Sequence, residues 1–310
     1  MATSTNQIQE RSMPNIIEQK IFKSMSELLR RVGLDYRGGY VEVDGKRIHY
    51  LDYGEGAPVL LLHGGGSGSA IWFRQIEVLA RTHRVIVPDH PVFGLSSQTV
   101  YKPPYPDCVV DYMTGLMDVL DIQTADLVGL SLGAQMAMAT AMQIPERVGK
   151  IAAIGAAGLG KEFPLLYKLA GVPIAGRLIV RPNKWGQDTY FKTMEVVDYE
   201  FQDAIAYKQY AYDVTLMEGH PEAMRSSIGT IADFGGQKSI FSDEELRSIE
   251  SPVLAIWGDG DQVFPVGHAY RLAQVVPNAR LHVIENARHV PLLDHPVEVN
   301  KLLVGFLSSD

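Results

Sequence analysis

The chain has 310 residues, 46% of them hydrophobic and 21% charged, with a formal net charge of -8 at pH 7. Such a length buries a large core, and it suits one elaborated α/β domain carrying an insertion. The acidic balance opposes binding to a phosphate backbone, no apolar run approaches the roughly 20 residues that cross a bilayer, and the single Cys108 excludes an internal disulfide. A cytoplasmic protein with no nucleic-acid partner and no integral membrane segment is expected.

Residues 1–12 are polar and read as a disordered tail. From Pro14 to Val32 the apolar residues Ile17, Ile21, Met25, Leu28 and Val32 recur at steps of three or four, which predicts an amphipathic helix. Its apolar face has several candidate partners: the main domain, an inserted region, a second subunit in a homo-oligomer, or a membrane surface and substrate-access route. Residues 1–37 are assigned to this tail and helix. Two β-like runs, 40–44 and 47–53, then form a hairpin around a turn at Gly45-Lys46. Six apolar runs without alternation follow at 59–62, 84–88, 125–130, 150–154, 253–257 and 280–284. Continuous apolar runs separated by helix-compatible segments fit strands covered on both faces. The fold class is therefore α/β, with a mostly parallel central sheet flanked by helices, built from residues 38–158 and 250–310.

Residues 159–249 break this rhythm. They are rich in aromatic and Met residues, among them Tyr167, Trp185, Tyr190, Phe191, Met194, Tyr207, Tyr210 and Met217, and read as a helical cap inserted between the sixth and seventh core strands. A cap over a site must supply pocket walls, and Trp185 is one candidate. In open α/β sheets the ligand lies beyond the carboxyl ends of the strands, where the chemistry-bearing residues also fall.

The pentapeptide Gly129-Leu130-Ser131-Leu132-Gly133 sits between an apolar strand and a helix-compatible stretch. A serine on so sharp a turn needs small neighbours two residues to either side, which the two glycines supply. A serine hydroxyl needs a base, and the base needs a third group to fix its tautomer. The loop Gly258-Asp259-Gly260-Asp261 after one strand offers two carboxylates, and His289 follows the last strand. The nine histidines form no H-x-x-x-H pair and one cysteine forms no C-x-x-C, so neither a metal nor another cofactor is expected.

The order Ser, Asp, His together with the elbow resembles the α/β-hydrolase superfamily over residues 38 to 308. Three further segments carry the resemblance: His63-Gly64-Gly65-Gly66-Ser67-Gly68 as the oxyanion loop, Asp89 to Ser96 after the fourth strand, and His289 to His295-Pro296 near the end. The resemblance implies an α/β-hydrolase fold with Ser131 as nucleophile, His289 as general base and then acid, and Asp261 rather than Asp259 as the orienting carboxylate. It places the oxyanion donors at the backbone N–H groups of Gly65 and Leu132, each worth about 3 kcal/mol in comparable sites, and gives His63 a structural role. Val92 and Arg288 stand where the family commonly has glycine.

A small-molecule carboxylic ester of small to medium acyl chain, cleaved through an acyl-enzyme, is the expected substrate. The alternative comes from the run His63 to Phe73, which is similar to meta-cleavage-product hydrolases that cut carbon–carbon bonds in vinylogous diketones. That subgroup has Asn before the serine and an aromatic after the histidine, where this chain has Leu130 and Val290. Val290 is thereby a second candidate pocket residue, and Arg181 with Trp185 could serve a carboxylate-bearing dienone. A triad-bearing ligand receptor and a cofactor-free haloperoxidase-like enzyme are the remaining readings.

Overall fold

The apolar runs pair into one eight-stranded sheet in a computed structural model that describes residues 15–99, 107–191 and 202–309. The expected tail over 1–12 and Met194 lie outside the described residues. The strands are β1 (Gly38–Val43), β2 (Lys46–Tyr53), β3 (Ala57–Leu62), β4 (His83–Pro88), β5 (Ala125–Leu130) and β6 (Val148–Ile154). After two two-residue strands, β7 (Ala232–Asp233) and β8 (Gly236–Gln237), come β9 (Val253–Gly258) and β10 (Ala279–Ile284). The sheet order is β1-β2-β4-β3-β5-β6-β9-β10, parallel from β4 to β10 and antiparallel at β1 and β2.

The hairpin turn lies one residue earlier than the sequence suggested. Val43 pairs with Lys46, and Asp44 and Gly45 hold φ of 50° and 70°. Two central residues with positive φ match the right-handed strand twist, which is why Asp-Gly serves there.

The lack of alternation in the core strands has a direct cause. Leu60 and Leu62 of β3 point into one apolar layer, whereas Val59 and Leu61 point into the other. Trp257 and Ala255 of β9 divide from Ile256 and Leu254 in the same way. Helices α2 (Phe73–Leu79) and α3 (Asp107–Val119) each cover one of these layers, so the central positions of these strands must be apolar on both faces. Helix α4 (Leu132–Gln143), after β5, is buried from Leu132 through Ala141, as expected of a helix that is apolar all round.

Helix α1 (Ile16–Arg31) starts where the Asn15 side chain accepts from the N–H groups of Ile17 and Glu18, at 3.0 and 2.8 Å. Its Ile21, Phe22, Met25, Leu28 and Leu29 are fully buried, at about 2 kcal/mol each. Of the partners left open by the sequence, the inserted region and the main domain are both observed: α1 packs along α8 (Gln202–Val214), and its Phe22 and Glu18 meet Tyr36 and Arg47. Ahead of α8 lie α5 (Leu165–Ala170), α6 (Pro173–Ile179) and α7 (Lys184–Tyr190), and after it α9 (His220–Ile231). Helices α5 and α6 pack on each other and on α9, while α7 packs on α8. Among the described residues no helix is long and apolar enough to cross a membrane.

Candidate active site

The parallel strands β5, β9 and β10 deliver the candidate residues to the carboxyl end of the sheet. Ser131 follows β5 with φ 55° and ψ -113°, a conformation that costs a non-glycine residue about 1–3 kcal/mol. The surroundings over-determine it: Ser131 N–H donates to Ile154 O at 2.8 Å, and its carbonyl accepts from Ala157 N–H at 3.2 Å. A Cβ at Gly129 would lie 2.4 Å from Ala134, and one at Gly133 2.1 Å from Leu62 O. Both flanking glycines are thus required by contact, as the pentapeptide spacing implied.

Ile154 ends β6, and the next residue, Gly155, backs on His289: a Cβ there would come within 3.1 Å of its Nδ1. One short backbone segment therefore touches Ser131 on one side and the imidazole on the other. His289 Nδ1 bonds Asp261 Oδ2 at 2.8 Å, and Asp261 Oδ1 accepts from the N–H groups of Val263 and Phe264 at 2.8 and 2.9 Å. With both carboxylate oxygens so engaged, the ring and its tautomer are fixed. Asp259, two residues earlier, is exposed. The Phe264 ring meets His289 edge-on at 5.4 Å.

The loop His63 to Gly68 is held from beneath by a buried network. His63 Nδ1 donates to Gly64 O at 2.7 Å, and its Nε2 accepts from His90 N–H at 3.0 Å. This pattern requires the neutral ring, and burial indeed holds the His63 pKa below the ordinary histidine range. Asp89 Oδ2 bonds His49 Nδ1 at 2.7 Å and accepts from Leu95 N–H at 2.9 Å, while Tyr36 Oη meets His49 Nε2 at 3.0 Å. Burial alone would raise the Asp89 pKa, but the His49 charge and hydrogen bond outweigh it and bring it down to about 2. No local motif marks His49 or His90, or a partner for Asp89. Both rings are fully buried, and a partner 40 residues away leaves no local signal.

The Val92 departure also has a structural outcome. This buried β-branched residue holds φ 87°, a conformation that favours glycine. Arg288 is half-buried and does not line the cavity beside Ser131.

That cavity, about 40 Å³, is bounded by Gly65, Ser131 and Leu132 at its base and by Phe163, Tyr167, Phe264 and the α9 residues Met224, Ser227, Ile228 and Ile231. No charged side chain lines it among the described residues. The N–H groups of Gly65 and Leu132 make no hydrogen bond to other described backbone, leaving them available to a ligand oxygen. Trp185 is not a wall: it is 76% exposed, because α7 turns its other face to α8 while α9 forms the cavity roof. Val290 is not one either. Its side chain is buried in the apolar layer with Leu292 and Leu293. The actual wall on α9 was legible as spacing, since 224, 227, 228 and 231 fall on one helical stripe. Among the described residues no group of His, Cys, Asp and Glu is arranged to hold a metal ion.

His220, at the start of α9, is buried against Gln98 and has its pKa lowered by that burial to about 4. A lowered folded pKa means that the unfolded chain takes up the proton first, so stability is complete above pH 6.5 and drains away as pH falls toward 4. His63 and His90 act in the same direction. Urea unfolding at pH 7, 5.5 and 4.5 is expected to show a loss of about 2 kcal/mol from His220 alone between the first and last of these. A His220→Gln variant flattens the profile by that share; stability independent of pH over this range contradicts the assignment.

The model of the alpha/beta hydrolase family matches residues 59–302. A 2-hydroxy-6-oxo-6-phenylhexa-2,4-dienoate hydrolase of Burkholderia cepacia is 30% identical over 271 residues, covering 85% of this chain and 92% of its own length. Among solved structures, a meta-cleavage product hydrolase from Pseudomonas fluorescens IP01 superposes with TM-score 0.75 at 27% identity, covering 87% of this chain and 97% of that one. A carboxylesterase from Bacillus subtilis reaches TM-score 0.78 at 23% identity over 94% and 98% of the two chains, a likeness of fold.

Proposed function

The chain belongs to the alpha/beta hydrolase family, and from that premise we propose that it cleaves the carbon–carbon bond beside the ketone of a vinylogous diketone, using Ser131, His289 and Asp261. The observation that carries the reading is the apolar cavity opening directly onto Ser131, Gly65 and Leu132, in a chain whose curated and solved relatives include hydrolases of such dienones.

His289 accepts the Ser131 proton as the oxygen attacks the ketone carbon, and the Gly65 and Leu132 N–H groups take up the charge on the carbonyl oxygen. Collapse of the adduct breaks the carbon–carbon bond. Carbon leaves only if its electron pair is delocalised, and the conjugated enone of the substrate spreads it into a dienolate that His289 then protonates. Water, deprotonated by the same imidazole, attacks the acyl-serine and releases the acid. The apolar walls support an aryl or alkyl ketone substituent, which would contact Phe163, Met224, Ile228 and Phe264, whereas a second carboxylate would be desolvated without a partner among the described walls.

One observation favours ester hydrolysis as the second reading. The described lining offers no cation to a dienoate carboxylate, and Leu130 and Val290 replace the Asn and aromatic residue of the carbon–carbon hydrolases. The same steps cleave an ester, with an alkoxide leaving instead of a dienolate. Parallel assays on a 6-phenyl dienone and on p-nitrophenyl acetate through octanoate separate the two. The proposal expects the larger kcat/KM on the dienone. A preference for the esters by tenfold or more, about 1.4 kcal/mol of transition-state stabilisation, reverses the order.

A further inference from the structure

Resting on that reading of Ser131 and its oxyanion loop, we propose that Tyr207, on helix α8 outside the sheet domain, is a positioning residue that holds the loop in its working geometry through Ser67. Tyr207 Oη and Ser67 Oγ are 2.9 Å apart, and both side chains are buried. Ser67 lies two residues beyond Gly65, which lines the cavity beside Ser131.

The contact belongs to a two-sided clamp. From below, the loop is fixed by His63 on Gly64 O and by Asp89 Oδ1, which accepts from Ser69 N–H. From above, Tyr210 of the same helix closes on Gly68 so tightly that a Cβ there would lie 2.2 Å from its hydroxyl oxygen. Between these anchors Gly64, Gly65, Gly66 and Gly68 carry no side chain that could hold the backbone. Gly66 holds φ 78°. A run of glycines has the largest conformational entropy to lose, so its order has to come from neighbouring groups, and Ser67 is the one side chain within the run.

Helix α8 is rigid enough for this task. Asp203 near its start pairs with Arg74 of the sheet domain at 2.7 Å and with Arg31 of α1 at 3.7 Å, and Asp213 near its end lies 3.8 Å from Lys20 of α1. Phe191 meets Tyr207 edge-on at 5.5 Å, which sets the direction of the phenol. The inserted helices thus contribute to the chemical step as well as to the cavity walls, and α1 contributes by backing α8.

The test is a double-mutant cycle of Tyr207→Phe, Ser67→Ala and the pair, read by steady-state kinetics and by hydrogen exchange of the peptide spanning 63–70. Loss of one buried hydrogen bond predicts kcat lower by about two- to tenfold with KM unchanged, Tm lower by only a few degrees, and faster exchange across the loop in each variant. The double variant is expected to be no worse than either single one. Wild-type exchange in Tyr207→Phe, or additive losses in kcat, overturns the proposal. The exchange readout needs no substrate, so failure of the clamp is distinguishable from failure of the catalytic reading, which would leave the wild type inactive on dienones and esters alike.

Discussion

Replacing Ser131 with alanine is expected to reduce turnover by on the order of 10⁴-fold or more while leaving the fold intact. In the proposed mechanism the hydroxyl supplies the bond-forming oxygen, and no other described serine, threonine or cysteine side chain lines the cavity except Ser227, which belongs to α9 in the roof. The stability effect runs the other way. Ser131 holds φ 55°, strain that alanine shares and glycine would relieve, so Ser131→Ala should unfold within a few degrees of the wild type and Ser131→Gly somewhat later. Turnover retained in Ser131→Ala, on the same substrate and with the same pH profile, removes the nucleophile from the account.

The second large effect is Asp261→Asn. The carboxylate accepts from His289 Nδ1 at 2.8 Å and from two backbone N–H groups. An amide in its place can satisfy the ring only by donating to Nδ1, which moves the imidazole proton to Nε2 and leaves no lone pair there for the serine. A loss on the order of 10⁴ in kcat is expected, with substrate affinity maintained because Asp261 does not line the cavity. Asp259→Asn should be near neutral, its side chain being exposed. The reverse pattern, loss in Asp259→Asn alone, moves the acid by two positions.

What could be read from the sequence followed from how local each cause was. The elbow is a contact between residues two apart, so Gly129 and Gly133 announce Ser131. The sheet declares itself because strands covered on both faces have no polar residue to alternate with, as at Val59–Leu62. The proposed roles of Asp261 and His289 follow from motif resemblance, and the fold brings Asp261 rather than Asp259 to the imidazole.

The misses were long-range or depended on which way a helix turns. Trp185 was assigned to the pocket from composition, yet only the packing of α7 on α8 decides that it faces solvent. Val290 was assigned from its place after His289, but its side chain enters the apolar layer with Leu292. The Asp89–His49 pair and the Tyr207–Ser67 contact join residues 40 and 140 apart. Periodicity carries no record of such pairs. The turn at Asp44-Gly45 was misplaced by one residue, although Asp-Gly chemistry was there to be used.

The most direct measurement is covalent trapping. A substrate-like p-nitrophenyl ester, mixed with the enzyme at low pH and quenched, should leave an acyl mass increment on the peptide that contains Ser131, and none in Ser131→Ala. An unmodified Ser131 in an enzyme that is turning over the ester, or an acyl group found on Cys108 instead, contradicts catalysis by this serine.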